Sequence, residues 1–283
     1  MHPTALWLVA GLLLTVTTAQ SLWARFRPHA QPLFPWQRVR AWWLMVVVFA
    51  LAILGGPNVS IAGFAVLSFF ALKELKEYLH HLPRPLTRTT RWLCYLCILL
   101  QYSWVKIGWY GMFVIFIPVF MFLYLPHSGS FSNDKNEPLA DQAMLHWGMM
   151  TTVFCLSHAA YLLVLVPKGA ALLLFVTVLT EVSDGVRFLL SRSPRGARLS
   201  PLVCTLVSLL CALLFGPLVT PMSWPHIALA GFVLGVAGVL GNSNVTAISR
   251  ELEMQPGGKL ARVESLAATA PLFFHGFRYF YTV

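Results

Sequence analysis

The chain has 283 residues, of which 58% are hydrophobic and only 11% charged, with a mean hydropathy of +0.71. A soluble domain carries about 25% charged residues, so this composition excludes an ordinary soluble enzyme and places the chain in a bilayer. The formal net charge of +10 would raise nucleic acid as a partner for a soluble protein. Here the Lys and Arg residues sit in short loops between apolar runs, and no recognition helix or aromatic-basic module accompanies them. Membrane lipids with anionic head groups, or a nucleotide, are the expected partners, and nucleic acid is not.

The first apolar run spans Ala5 to Thr18. No Lys or Arg precedes it, whereas Arg25 and Arg27 follow it, the reverse of a secretory signal. It is expected to be a first span with the N-terminus outside. Further spans are expected at 41–56, 59–73, 92–106, 108–126, 143–166, 169–190, 201–221, 226–247 and 267–282, because runs approaching 20 apolar residues read as transmembrane helices. The fold class is therefore all-α, a polytopic integral membrane protein of about ten transmembrane helices.

The loops orient this arrangement. Loop 20–40 holds Arg25, Arg27, Arg38 and Arg40; loop 74–91 holds Lys76, Arg84, Arg88 and Arg91. Loop 191–200 holds Arg192, Arg195 and Arg198, and loop 248–266 holds Arg250, Lys259 and Arg262. With ten spans all four fall on the cytoplasmic side, as the positive-inside bias requires. Loop 127–142 falls there by parity alone. Pro83-Arg84-Pro85 breaks the chain after an interfacial extension, Lys73 to Glu77. Neither a soluble insertion nor a low-complexity tract appears, and the inverted repeats of a transporter are absent. The five cysteines lie in apolar segments and form no disulfide framework; Cys94 and Cys97 are read as small buried hydrophobes.

Ionisable residues inside membrane segments are functional candidates. Glu181, Asp184 and Arg187 are spaced three residues apart in the seventh expected span, so neighbours share a helix face. Two carboxylates and a guanidinium suit a divalent ion and a phosphate. An Asp184–Arg187 ion pair that satisfies itself is the equally weighted alternative. His158 and His275, taken alone, read as hydrogen-bonded structural residues.

Several motifs carry a resemblance. They are Thr180 to Leu190 around Asp184, Ser200-Pro201, Gly241-Asn242 through Ser249-Arg250, Pro256-Gly257-Gly258, Ala261-Arg262-Val263-Glu264-Ser265-Leu266, and the tail Ala270-Pro271-Leu272-Phe273-Phe274-His275 to Phe280. In that order they resemble the phosphatidate cytidylyltransferase family, membrane enzymes that make CDP-diacylglycerol from CTP and phosphatidic acid. Trp104 to Phe113 and His146 to Ala160 are similar to central segments of one bacterial branch. The resemblance covers about residues 93–283, the expected catalytic region, and leaves 1–92 as N-terminal helices without an assignable motif.

The resemblance implies a bacterial inner-membrane enzyme with Mg²⁺ as cofactor, CTP and a phosphatidate-like lipid as substrates, and a possible homodimer. It implies Asp184 and Glu264 as catalytic and metal-binding residues, with Glu181 as a further metal ligand. It also implies Arg250, Arg262, Arg187 and Ser200 as substrate-binding residues. The chain departs from the family pattern at several positions. Val203 and Cys204 stand where the family has Lys and Thr, Asn242 and Ala261 replace acidic residues, and the Lys-Asp of the last loop has no counterpart. A non-catalytic relative that binds an anionic lipid or a partner protein is accordingly the second reading.

Overall fold

The computed structural model describes residues 3–26, 34, 36–79, 88–128, 139–167, 169–251 and 259–282. Helices are α1 (Pro3–Phe26), α2 (Trp36–Leu79), α3 (Arg88–Ile107), α4 (Tyr110–Ile115), α5 (Phe122–Ser128), α6 (Leu139–Met149) and α7 (Leu156–Leu165). They continue with α8 (Gly169–Leu190), α9 (Pro194–Val219), α10 (Trp224–Glu251) and α11 (Lys259–Tyr281). Two π-helical stretches, Phe116–Met121 and Met150–Cys155, join α4 to α5 and α6 to α7. No strand occurs among the described residues.

Five stretches are long and apolar enough to cross a membrane: Gly55–Leu75, Gln142–Leu165, Gly169–Leu190, Pro194–Val219 and Trp224–Asn244, with the shorter Tyr110–Leu125 beside them. The protein is an α-helical membrane protein. Of the ten expected spans, these are the ones that qualify by length and hydropathy among the described residues. Pro83-Arg84-Pro85, most of loop 127–142, and Pro256-Gly257-Gly258 lie outside the described residues.

The boundaries have local causes. The expected break between residues 56 and 59 falls at Gly56, whose φ of 76° interrupts α2; only glycine adopts that value without steric cost. α3 ends at Gly108, with φ 77°. There Trp109 N–H donates to Trp104 O at 3.1 Å and Gly108 N–H to Val105 O at 3.2 Å. This is the left-handed glycine stop in which two amides beyond the helix satisfy its last carbonyls, and it sets the start of α4 at Tyr110. The first π stretch contains Pro118, which has no N–H to donate and a ring that crowds the preceding turn. Within the second, Thr151 and Thr152 hydroxyls donate back to the carbonyls of Trp147 and Gly148 in the preceding turn, at 3.0 and 2.7 Å. α9 begins seven residues before the expected 201, because Ser193 caps it, accepting from Gly196 N–H at 3.1 Å, and Pro194 follows in the first turn.

The chain forms two compact units. One comprises Met1–Val59 and Lys168–Gly235, the other Ser60–Pro167 and Val236–Val283. In the first, α8 packs along α9, and α9 along the start of α10 through small residues. A Cβ on Gly235 would lie 2.7 Å from Thr205 Cα, and one on Gly231 2.9 Å from Leu209 Cα. Small residues let transmembrane helices approach this closely. Every fourth residue of α9 from Ser200, namely Cys204, Ser208, Ala212 and Gly216, is buried. Leu202, Leu206, Leu210, Leu214 and Leu218, on the same repeat, are exposed. Small and polar inside with leucine outside is the pattern of a helix whose solvent is lipid. In the second unit the core is aromatic instead: Phe113, Phe154, Tyr161 and Phe274 are all buried.

Candidate functional site

In the first unit, α8 carries Glu181, Asp184 and Arg187 over successive turns. Arg187 Nη2 donates to Asp184 Oδ1 at 2.5 Å, and the two side chains retain 18% and 11% of their exposure. Of the two readings of this spacing, the Asp184–Arg187 ion pair is formed. Glu181, one turn before Asp184, is half-buried. Next to them Phe188 receives the Arg192 guanidinium over its ring at 5.1 Å.

Ser200 is buried at 7% exposure, with its hydroxyl 3.6 Å from Cys204 Sγ. Cys204 in turn donates to Ser183 O on α8 at 3.5 Å. Ser200 thus bears on the backbone one residue before Asp184, through the Cys204 thiol. Ser183 Oγ is buried without a hydrogen-bond partner among the described residues.

The N-terminal helix reaches this group, a contribution that hydropathy alone could not reveal. Gln20 is fully buried on α1. Its amide donates to Phe34 O at 2.7 Å and accepts from Phe34 N–H at 3.1 Å, so one side chain satisfies both backbone groups of Phe34. The Phe34 ring lies 6.2 Å from the Phe188 ring and 3.7 Å from where a Cβ on Gly185 would be. Gln20 therefore fixes an aromatic wedge on α8 one residue beyond Asp184. Trp43 Nε1 donates to Thr17 Oγ1 at 3.1 Å and adds a second tie between α1 and α2.

In the second unit, Arg250 is exposed near the end of α10, and Arg262 and Glu264 lie in the first turns of α11. Asp184, Glu181, Arg187 and Ser200 thus belong to one unit, and Arg250, Arg262 and Glu264 to the other. Among the described residues no group of three or more His, Cys, Asp or Glu side chains gathers as a metal site. The donors that α8 does offer, two carboxylates a turn apart, are the hard oxygen ligands magnesium takes, in the small number it uses alongside water and phosphate oxygens.

The second unit also holds a polar cluster that spacing did not disclose. Tyr110 OH and His275 Nδ1 are 3.2 Å apart, and His275 Nε2 and His158 Nε2 are 3.3 Å apart. His158 Nδ1 is 2.9 Å from Phe154 O. The Arg278 guanidinium lies 3.7 Å over the Tyr110 ring, a cation–π contact. Phe113, Phe154 and Phe274 surround His158 at ring distances of 4.6, 4.7 and 5.2 Å. Gln101 ties α3 to this group, donating to Phe113 O at 3.1 Å and to Ser157 Oγ at 3.2 Å. His158 and His275 are hydrogen-bonded, as expected, but to each other.

Comparison with known proteins bears on these groups. The chain matches the model of the cytidylyltransferase family over residues 36–280. It is 33% identical over 266 residues to a protein of Escherichia coli (strain K12) named uncharacterized protein YnbB, covering 86% of this chain and 87% of that one. The family match begins well before residue 93, where motif spacing alone first carried the resemblance. Gln20 and Phe34 precede it.

Proposed function

This chain belongs to the cytidylyltransferase family, and from that premise we propose that it transfers CMP from CTP to phosphatidic acid, giving CDP-diacylglycerol and pyrophosphate in phospholipid biosynthesis. The observation that carries the proposal is Asp184, an acidic residue whose side chain is only 11% exposed on a membrane helix. It stands at the family's acidic position with a guanidinium against it. A charge buried at that cost is retained for a purpose.

In the reaction a phosphate oxygen of the acceptor lipid attacks the α-phosphorus of CTP. The bond from that phosphorus to the bridging oxygen breaks, and pyrophosphate leaves. Catalysis of phosphoryl-type transfer is mostly positioning and charge stabilisation. Asp184 and Glu181 are the α8 carboxylates proposed to hold magnesium. When bound, the ion would neutralise charge on the nucleotide phosphates. Arg187 orients Asp184 in the resting protein and is proposed to turn to a phosphate when CTP arrives. Ser200 steadies the α8 backbone through Cys204. Glu264, Arg250 and Arg262 keep in this proposal the metal- and phosphate-binding roles that the resemblance gives them. The lipid tails stay on the bilayer side. The proposed location is a bacterial inner membrane with the basic loops cytoplasmic, and a homodimer is the proposed assembly.

The experiment is turnover of CTP and phosphatidic acid by the purified full chain with Mg²⁺, beside Asp184→Asn. Product formed by the native chain and lost in the variant supports the proposal. A second reading, a relative that binds an anionic lipid or a partner without turnover, is favoured by Arg187 being seated on Asp184 and by Val203, Asn242 and Ala261 at the family's charged positions. Absence of both product and Mg²⁺-dependent CTP binding would decide for it.

A further inference from the structure

The cluster around His158 lies in the unit without Asp184, and cytidylyl transfer does not call on it. Its hydrogens can be placed from chemistry alone. The Phe154 carbonyl can only accept, so His158 Nδ1 carries a hydrogen and donates to it. A neutral His158 then presents a lone pair at Nε2. The atom facing that lone pair, 3.3 Å away, is His275 Nε2, which must therefore be the N–H donor. His275 Nδ1 is left as an acceptor, and the Tyr110 hydroxyl 3.2 Å away donates to it. The neutral cluster has this one hydrogen arrangement. It runs from Tyr110 through His275 and His158 to a backbone carbonyl, with the two rings in opposite tautomers.

The same geometry sets its capacity for protons. Adding one gives His275 a hydrogen at Nδ1, keeps the N–H···N bond between the rings, and needs only that the Tyr110 hydroxyl turn from donor to acceptor. Tyr110 is half-buried, so its hydrogen has somewhere to turn. A second proton would set two N–H groups face to face across 3.3 Å. Phe113, Phe154 and Phe274 close in on His158 and leave little room for the rings to part.

We infer that His158 and His275 form a one-proton binding site inside the membrane, entered from Tyr110. The other titratable or charged groups near it are Tyr161 of α7, packed on Phe113 and Phe274 of the cage, and Arg278 of α11. Arg278 opposes the added charge from over the Tyr110 ring, so uptake of the proton sets two positive charges close together in a low-dielectric region. The site thereby turns a change in pH into a repulsion between α4, α7 and α11. It does not rest on the transferase reading.

The experiment is a pH titration of the full chain, ¹⁵N-labelled at histidine, in lipid nanodiscs. His275→Gln and His158→Asn identify the two sets of signals; Gln keeps an N–H directed at His158, and Asn keeps a donor for the Phe154 carbonyl. At high pH the native chain is expected to show His158 with hydrogen on Nδ1 and His275 with hydrogen on Nε2. On acidification both should shift in one shared transition that takes up one proton. Tyr110→Phe should retain the shared transition but move its midpoint. Two independent transitions, or like tautomers in both rings, would overturn the inference, and the native chain alone is enough to show either result should a variant not fold. Stoichiometric Zn²⁺ bound by the native chain and lost in His158→Asn would overturn it too, by making the pair a metal site.

Discussion

The two units bury polarity in opposite ways. In the unit of α8 and α9, a full charge pair, Asp184–Arg187, sits on α8, while small residues bring α9 and α10 close. In the unit of α7 and α11, a chain of hydrogen bonds with no carboxylate in it, Tyr110–His275–His158, is held inside an aromatic cage. A largely buried charge pair is costly to assemble and to break; a neutral chain costs little but fixes the hydrogens of every member. The first arrangement suits a group that must exchange one charged partner for another. The second suits a group whose state changes by one hydrogen at a time. Close helix contact and aromatic bulk are likewise alternative ways to fill a core where lipid gives helices no hydrophobic reason to associate.

That contrast is broken most severely by changing side-chain size in opposite senses. Gly235→Leu forces a side chain into the space of Thr205 and Ser208, both close to where its Cβ would sit. Overpacking costs about 1–3 kcal/mol and more where backbone blocks the way. Phe274→Ala removes a ring with no exposure from the other core, where such truncations cost about 3–5 kcal/mol. Thermal aggregation midpoints in detergent should fall sharply for both, and the reciprocal control, Phe274→Met, should fall far less. A core in the first unit that accepted leucine at 235 would remove the distinction.

The charge pair is tested next. Asp184→Asn is expected to lower turnover by about 100-fold or more, in line with loss of one charge-stabilising group. The fold should survive, because the amide oxygen still accepts from Arg187. Arg187→Gln sharpens the result. If Arg187 only neutralises Asp184, stability falls and the KM for CTP holds. If it turns to a phosphate, the KM for CTP rises.

Most of the architecture was legible in the chain. The apolar runs are helices, and the expected span 169–190 coincides with α8. The loop expected after residue 56 is the Gly56 break. The Asp184–Arg187 pair could be named in advance because three-residue spacing on a helix is a local rule. The relay was not legible, since it joins residues 110, 158 and 275 through packing, and no periodicity relates positions so far apart. The Gln20 clamp was hidden because the apolar run ends at Thr18, which put Gln20 in a polar loop, whereas α1 runs on to Phe26 and buries it. The π stretches escaped because the hydrophobic pattern does not record one extra residue per turn.

Gln20→Leu tests that clamp at smaller amplitude. Leucine matches the length but removes both hydrogen bonds to the Phe34 backbone, each worth about 0.5–1.5 kcal/mol. The Phe34 ring should then leave α8. Any turnover should fall in kcat more than in KM for CTP, since the wedge stands behind Asp184. Gln20→Asn, one methylene too short to clasp both groups, should fall between. Equal activity in all three chains would reduce the clamp to a packing detail.

The smallest effect is expected on the lipid side of α9. Leu210 is 59% exposed, two residues from the buried Ser208, at 1%. If that face meets acyl chains, Leu210→Ala exchanges protein–lipid contact for lipid–lipid contact. Its cost should stay within the roughly 0.5 kcal/mol typical of surface substitutions. Ser208→Leu, the inverse swap on the buried stripe, meets the close approach of Gly231 and Gly235 and should cost several times more. The pair isolates orientation from composition, since each variant trades a leucine against a small residue on the same helix. Midpoints measured in nanodiscs that shifted equally would mean that the leucine stripe is covered by protein, which would make it the surface on which a second copy of the chain docks.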